Sequence, residues 1–362
     1  MPSSTSSSDR RLPYSHWSAV LGGGLAMFAA FVLTMECGLA ARGYVPSLAE
    51  SYGLWQAQRL RADRLGRRAL ILVGNSRMQN DIDLATLRRD TGLEPVQLAV
   101  GGASFLPVLE GLADDPGITG TVLVNFEASA LALPAQEDLA YDYQTQYSRH
   151  GNTTDFFRAE NWLSDELHYR LRSYADGTRP ITALMRRVLG RQGSLQFESR
   201  APDRQVRVDF ARNPNPRHFA IIQASHELGL PFKYGLGDSD GYLRASMQRA
   251  IDASQPPETS LFQAAARHAA AMAAAIDARG GRVMFVVLPR SGQVQAVDDK
   301  RYPRRGFWDP FAASVPVAVH FADVPALQAF VCPDDSHLDE RDQGRFTSAL
   351  VTALNLGKTT AP

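Results

Sequence analysis

Cysteine is scarce: Cys37 and Cys332 are the only two in 362 residues. Two are too few for a disulfide framework. The pair is not expected to bridge, because Cys37 falls at the edge of an apolar stretch and Cys332 lies beside a candidate site. Net charge is also absent, with 38 basic and 38 acidic residues. A nucleic-acid binder carries a basic excess or stripe, so no nucleic-acid partner is expected. There is no polybasic signature for lipid headgroups either. No CxxC or HExxH pattern occurs, and neither a metal nor a cofactor is expected. Internal repeats are lacking.

Long apolar runs are confined to one place. Residues 1–9 are Ser-rich and read as disordered. Arg10, Arg11 and His16 follow, and Trp17 to Thr34 then runs without a charge. A run of about 18 residues is near the lower limit for crossing the hydrocarbon core, and Trp17 sits where an interfacial aromatic would. The reading is a cytoplasmic tail over 1–16, a transmembrane helix over 17–35, and the bulk of the chain outside the cytoplasmic membrane, since Arg10 and Arg11 hold the N-terminus inside. Two other readings compete. A cleaved signal peptide would use Gly38-Leu39-Ala40, but its apolar region is shorter. A buried core helix is disfavoured by Gly22, Gly23 and Gly24, which are costly in a soluble helix.

After a juxtamembrane segment (36–67) with an amphipathic helix over 48–68, the periodicity changes. Ala69 to Val73 is a continuous apolar run ending at Gly74, the pattern of a strand buried on both faces. Pro95 to Val100, Thr121 to Val124, Arg282 to Leu288 and Val317 to Phe321 repeat that theme. Between them lie helical patterns at 83–90, 105–113, 261–279 and 341–354. Strands alternating with helices indicate βαβ units and a parallel sheet. The rhythm breaks over 131–259, which reads as a mostly helical insertion in a domain spanning 68–358.

In a parallel α/β sheet, sites form beyond the carboxyl ends of the strands. Gly74-Asn75-Ser76-Arg77 follows the first strand, Gly101-Gly102 the second, and Asn125-Phe126-Glu127 the third, while Asp334-Asp335-Ser336-His337 precedes the last helix. A serine needs a base to become nucleophilic at neutral pH. His337 fits that role, and Asp334, three residues earlier, can hold the imidazole tautomer and stabilise the imidazolium. A tetrahedral intermediate needs donors aimed at its oxyanion; the backbone N–H groups of Ser76 and Gly102 and the side-chain amide of Asn125 are the candidates.

These blocks resemble the SGNH (GDSL-type) hydrolase family. Gly74-Asn75-Ser76 matches its first block, Gly102 its second-block glycine, and Asp334 to His337 its final D-x-x-H. The third block departs from the usual G-x-N-D, because Val124-Asn125-Phe126-Glu127 lacks both glycine and aspartate. Asn75 also stands where the family has aspartate. The resemblance covers 69–130 and 260–355. It implies a three-layer, flavodoxin-like parallel-sheet domain and a serine esterase or O-acyltransferase. A membrane anchor with a G-N-S-R start and a late D-S-H-L resembles the envelope branch of the family. That implies a bacterial inner-membrane protein with its catalytic domain on the periplasmic side. It would act on O-acyl, typically O-acetyl, groups of exported polysaccharide or cell-wall polymer, with a membrane-bound acyl-donor protein as a further partner.

Each residue also has a plainer reading. Ser76 is a favoured helix N-cap type, Gly101 and Gly102 suit a tight turn, and Asn125 suits a strand-to-helix cap. A second D-x-x-H, Asp165 to His168, lies in the insertion, where such spacing marks a solvated helical pair. Tyr141, Tyr143, Tyr147, Phe156, Phe157 and Trp162 suit either a sugar groove or ordinary packing, and packing is the commoner use. Arg77 either orients an anionic group or pairs with a carboxylate. Cys332 is expected to be a small buried hydrophobe. The degraded third block leaves open a catalytically silent subunit of a polysaccharide modification or export complex. A plain secreted esterase remains open if the anchor is cleaved.

Overall fold

The structure, a computed structural model, describes residues 16–133, 137–150, 155–177, 196–213 and 248–356. It begins with helix α1 (Trp17–Ala40), which stands clear of the rest of the chain over its apolar length. No residue of its most apolar window is buried, which removes the buried-core-helix alternative. Cβ atoms built at Gly22, Gly23 and Gly24 meet nothing within 4 Å. The helix is long and apolar enough to cross a membrane.

A second helix, α2 (Tyr52–Leu65), starts where the Ser51 side chain accepts the Leu54 N–H, an N-cap bond. Expected as part of a linker, α2 belongs instead to the domain. Trp55 is fully buried, its indole N–H donates to the Leu98 carbonyl at 3.0 Å, and Ala62 joins the same core. The apolar spacing predicts the helix but not the face it buries: of Leu54, Ala57, Leu60 and Leu65 only Leu54 is buried and Ala57 is exposed, whereas Trp55, Gln58, Arg59 and Ala62 are buried.

The strands are β1 (Ala69–Val73), β2 (Glu94–Gln97), β3 (Thr121–Asn125), a short antiparallel pair β4 (Glu198–Arg200) and β5 (Val206–Val208), then β6 (Arg282–Val287) and β7 (Ala318–His320). Five of them form one sheet in the order β2-β1-β3-β6-β7, and every neighbouring pair is parallel. All five residues of β1 are buried, because helices cover both faces of a parallel sheet. The β2 ladder runs on past the strand, with Leu98 N–H to Leu72 O and Val100 N–H to Gly74 O, both at 2.9 Å.

The connecting helices are α3 (Ser76–Asn80), α4 (Leu84–Thr91), α5 (Leu106–Ala113), α6 (Ala128–Ala132), α7 (Leu139–His150), α8 (Asp155–Tyr169), α9 (Thr259–Ala278), α10 (Gly292–Arg301), α11 (Trp308–Ala312), α12 (Pro325–Gln328) and α13 (Glu340–Ala353). The chain passes from β1 to β2 on one side and returns across β1 to β3. Right-handed crossovers then put α4 and α5 on opposite faces. The packing agrees: α4 lies against α13, whereas α9 lies against α5 and α6. The reversal of strand order falls between β1 and β3, where a crevice opens at the carboxyl ends.

The region expected to be a mostly helical insertion also contains the β4–β5 pair. That pair is tied into the domain. Arg204, fully buried, donates to Gln97 O at 2.6 Å and Ala99 O at 2.8 Å, and its other partner is Glu50 at 2.7 Å. Gln343 on α13 donates to Val206 O at 2.9 Å. The segment after α1 runs beside β4, with Leu48 N–H to Arg200 O at 2.9 Å. Phe156 and Phe157 side chains lie outside the described residues. Tyr143 is buried against Tyr52 and Trp55, and Tyr147 packs edge-on to Trp55, so these two aromatics serve packing.

Candidate active site

The turn after β1 carries the serine. Gly74 has φ +151°, and a Cβ there would sit 2.8 Å from Asn125 Cβ, so both backbone angle and space demand glycine. Asn75 caps α3, its Oδ1 accepting the Arg77 N–H at 3.0 Å. The N-cap role therefore belongs to Asn75, and Ser76 is the first helical residue. Its own N–H is one of the first-turn amides that have no partner within a helix.

The histidine arrives from the far edge of the sheet. His337 Nε2 lies 2.8 Å from Ser76 Oγ, and Nδ1 lies 2.8 Å from Asp334 Oδ2. Asp334 Oδ1 also accepts the backbone N–H groups of Ser336 at 3.0 Å and His337 at 2.7 Å. One carboxylate thus shapes the loop and orients the ring. The loop is bent at Asp335, whose φ of +64° is unusual for a residue with a side chain. Ser291 N–H to Asp335 O at 3.0 Å and Gln293 N–H to Asp335 Oδ2 at 2.9 Å hold the bend.

Burial opposes protonation of His337, but the Asp334 carboxylate and its hydrogen bond outweigh burial and raise the imidazole above its ordinary value. Burial likewise works against ionised Asp334; His337 and the two backbone N–H groups hold its carboxyl below the usual range. Charged imidazolium and ionised aspartate therefore stabilise each other, as a general base requires once it has taken a proton.

Gly101 and Gly102 are the central residues of a turn closed by Ala103 N–H to Val100 O at 3.2 Å. Gly102 has φ +69°, the left-handed value that a type II turn demands at its third residue. A Cβ on Gly101 would come 3.9 Å from Ser76 Cβ, so the turn borders the serine. The Gly102 N–H takes no part in the closing bond.

Asn125 has a different duty from the one expected. It is fully buried, and its amide donates to Asn75 Oδ1 at 3.0 Å and Glu127 Oε1 at 2.9 Å. Both N–H bonds are spent inside the protein, so Asn125 positions its neighbours and is not an oxyanion donor in this arrangement. Of the residues around it, Glu127 and Arg290 were given no role from sequence. Glu127 accepts from Asn75, Asn125 and Arg77 on one oxygen and from Arg290 on the other, the last at 2.9 Å. Burial works against its charge, yet Arg290 and Arg77 hold its carboxyl below the usual range. Arg77 also donates to Ser336 Oγ at 3.1 Å, so of its two expected roles it fills carboxylate pairing. Asp81 is another missed group. It is fully buried, accepts the Leu338 N–H at 2.8 Å and lies in the field of His337. Burial pushes its carboxyl up to about 7. Glu127 lies two residues past β3 and Arg290 three past β6, a signal that the position alone offered; Asp81 offered none.

Cys332 is buried with its thiol 3.6 Å from Pro289 O, and burial pushes it well above the ordinary thiol value. Both cysteines are free. The second D-x-x-H sits on α8, where the His168 ring stacks on Tyr174 at 4.3 Å. Among the described residues no cluster of His, Cys, Asp or Glu could hold a metal ion. Compared with known proteins, the chain matches no family model and no curated sequence.

Proposed function

We infer that this chain is a membrane-anchored serine acyl-transfer enzyme with an SGNH-like, flavodoxin-like domain. One observation carries the reading: the continuous Ser76–His337–Asp334 chain of hydrogen bonds, both links 2.8 Å, at the carboxyl end of a parallel sheet. The three residues come from blocks some 260 positions apart, and the strand order β2-β1-β3-β6-β7 supports the flavodoxin-like assignment. His337 Nε2 takes the Ser76 hydroxyl proton as Oγ attacks an ester carbonyl carbon. The oxyanion that forms is held by the Ser76 and Gly102 N–H groups. The alcohol leaves with the proton returned by His337, and an acyl-serine remains. Water or a sugar hydroxyl then gives its proton to His337, attacks the acyl carbon and releases Ser76.

O-acyl groups of an exported or cell-wall polysaccharide are the proposed substrate, with transfer preferred to hydrolysis on the strength of the resemblance in the Ser76 and His337 blocks. The long apolar α1 supports single-pass anchoring; the extracytoplasmic side of a bacterial inner membrane is proposed from Arg10 and Arg11 ahead of it and from the resemblance. The engaged amide of Asn125 favours a second reading, a catalytically silent subunit, because it reduces the expected oxyanion donors from three to two. A serine-directed phosphonate separates the two readings. Labelling of wild type that is lost in both Ser76→Ala and His337→Ala is the expected result. A folded wild type that takes no label would turn the assignment to the silent subunit.

A further inference from the structure

Helix α8 presents apolar side chains that stay exposed beside the described residues: Trp162 is 66%, Leu163 52% and Leu167 54% exposed. Its opposite side is seated, since a Cβ on Gly53 at the start of α2 would meet Asn161 Nδ2 at 3.2 Å. What lies beyond the exposed side is set by where α8 ends. Tight backbone bonds, Arg170 N–H to Leu167 O at 3.2 Å and Leu171 N–H to His168 O at 3.1 Å, turn α8 into a 3-10 turn at Arg172–Gly177. The His168–Tyr174 stack fixes that corner.

The 3-10 turn is clamped to α1. The Glu36 carboxylate accepts the Arg172 N–H at 2.7 Å and the Ser173 N–H at 2.9 Å, and the Arg172 guanidinium donates to Tyr44 O at 3.0 Å. Glu36 is the first charged residue after Arg11. At about 1.5 Å per residue, the charge-free helical stretch from Trp17 to Met35 is about 28 Å long, close to the ~30 Å hydrocarbon thickness. With Trp17 at one boundary, Glu36 stands at the other. The end of α8 is three residues from Arg172, at most about 11 Å along the chain.

We propose that α8 is an interfacial helix, with Trp162, Leu163 and Leu167 seated in the headgroup layer of the same bilayer that α1 crosses. The proposal rests on the anchor reading of α1. A membrane-surface helix buries its apolar side about 5–10 Å into the boundary between headgroups and acyl chains, and tryptophan is favoured there. Two contacts, α1 and α8, then fix the tilt of the domain on the membrane, where one helix and a flexible linker would leave it free. A domain held in one orientation receives an acyl donor from the plane of the bilayer rather than from bulk water.

The test uses the full chain in nanodiscs with a Cys37→Ala background, in which the remaining Cys332 is buried. Spin labels are placed through Phe28→Cys, Leu163→Cys, Leu167→Cys and, as a solvent control on α13, Arg345→Cys. Depth is read from collision with oxygen, which concentrates in lipid, against a water-soluble nickel chelate. The expected result is oxygen in excess at 28, 163 and 167, and the nickel chelate in excess at 345. Lipid contact at 28 with nickel in excess at 163 and 167 would overturn the interfacial helix and leave the anchor standing. Nickel in excess at 28 as well would overturn both. Labels at 163 and 167 shielded from both reagents would mean a protein cover, and would overturn the lipid assignment.

Discussion

Asn75 is intelligible only beside Glu127. The SGNH-like first block has aspartate at this position, yet here the Asn75 amide donates to Glu127 Oε1 at 3.2 Å while its Oδ1 caps the next helix. An aspartate would keep the cap and put a second carboxylate against Glu127. The amide at 75 and the carboxylate at 127 therefore depend on each other. Asn75→Asp is expected to destabilise the fold by about 1–3 kcal/mol, the cost of removing a buried donor from a charged acceptor, with part of that loss recovered on acidification as the added carboxyl protonates. Denaturant melts at pH 7.5 and 5 check it; equal losses at both would sink the explanation. Asp81 governs pH at the same scale. On the proposed acyl-transfer reading Ser76 is activated only when His337 is neutral, so activity is expected to fall as pH drops through an imidazole value raised above its ordinary one. The negative charge of Asp81 contributes to that rise. Asp81→Asn removes it and keeps an acceptor for the Leu338 N–H, so the acid limb of kcat/KM should move to lower pH. Stability should respond with the opposite trend. The Asp81 carboxyl is raised to about 7 by burial, whereas an unfolded aspartate titrates near 3.9. Stability tied to the protonated form is present below about pH 4 and lost as pH rises through about 7. The Asn variant should therefore gain on wild type above neutrality and not below pH 4, as paired melts would show.

At the scale of elements, what was legible in the sequence and what was not divide along a physical line. Four of the parallel strands were readable because they are short runs buried on both faces, β7 being half-buried at the edge, and the loops after β1, β2 and β3 were readable because such loops carry chemistry. Ser76 followed from those two facts, Asp334 and His337 from the D-x-x-H before the last helix, and the structure brings their side chains into contact. Helix α2 was visible, but its burial was not, since the face it buries carries Gln58 and Arg59 beside Trp55 and Ala62, while Ala57 of the apparent stripe is exposed. Arg204 was invisible altogether. It sits in a polar stretch without rhythm, and its role is to satisfy carbonyls at the end of β2 and the charge of Glu50, a task set by tertiary contacts alone. Arg204→Met should take a donor from Gln97 O, Ala99 O and Glu50, leaving Gln79 on Ala99 O and Arg200 and Gln79 on Glu50. Removing one partner of a buried ion pair costs about 3–5 kcal/mol, and Ala99 is two residues from the Gly101–Gly102 turn, so loss of probe labelling should accompany loss of stability. A Gly74→Ala variant tests the other side of the site. With φ at +151° and Asn125 Cβ 2.8 Å from the added methyl, strain of about 1–3 kcal/mol is expected, and displacement of the turn should slow labelling of Ser76 even in the folded fraction.

At the scale of the whole molecule, α1 and the sheet domain meet in one small place. The principal core begins at Trp55 and draws no residue from α1. Glu36 accepts from the turn at Arg172 and Ser173, Leu39 is buried, and the turn after α1 meets Arg212, which donates to Gly43 O at 2.6 Å and Arg42 O at 3.1 Å. The triad, by contrast, hangs entirely on β1, on the turn after it and on the loop before α13. A chain starting at residue 44 retains Tyr44 O for Arg172 and every hydrogen bond of the triad. It is therefore expected to fold, to melt within a few degrees of the full chain, and to label at Ser76 with an unchanged rate in detergent-free buffer. The Arg172–Gly177 turn, deprived of the Glu36 carboxylate, should be cut faster by trypsin at Arg170 and Arg172 than in the full chain. If transfer from a membrane-delivered acyl donor is the natural reaction, the truncated chain should lose that transfer while keeping hydrolysis of a small soluble ester, because on this reading the chemistry resides in the sheet and the delivery in the anchor. Truncation that abolished probe labelling as well would show that α1 shapes the site itself, and the division of labour between the two parts would be wrong.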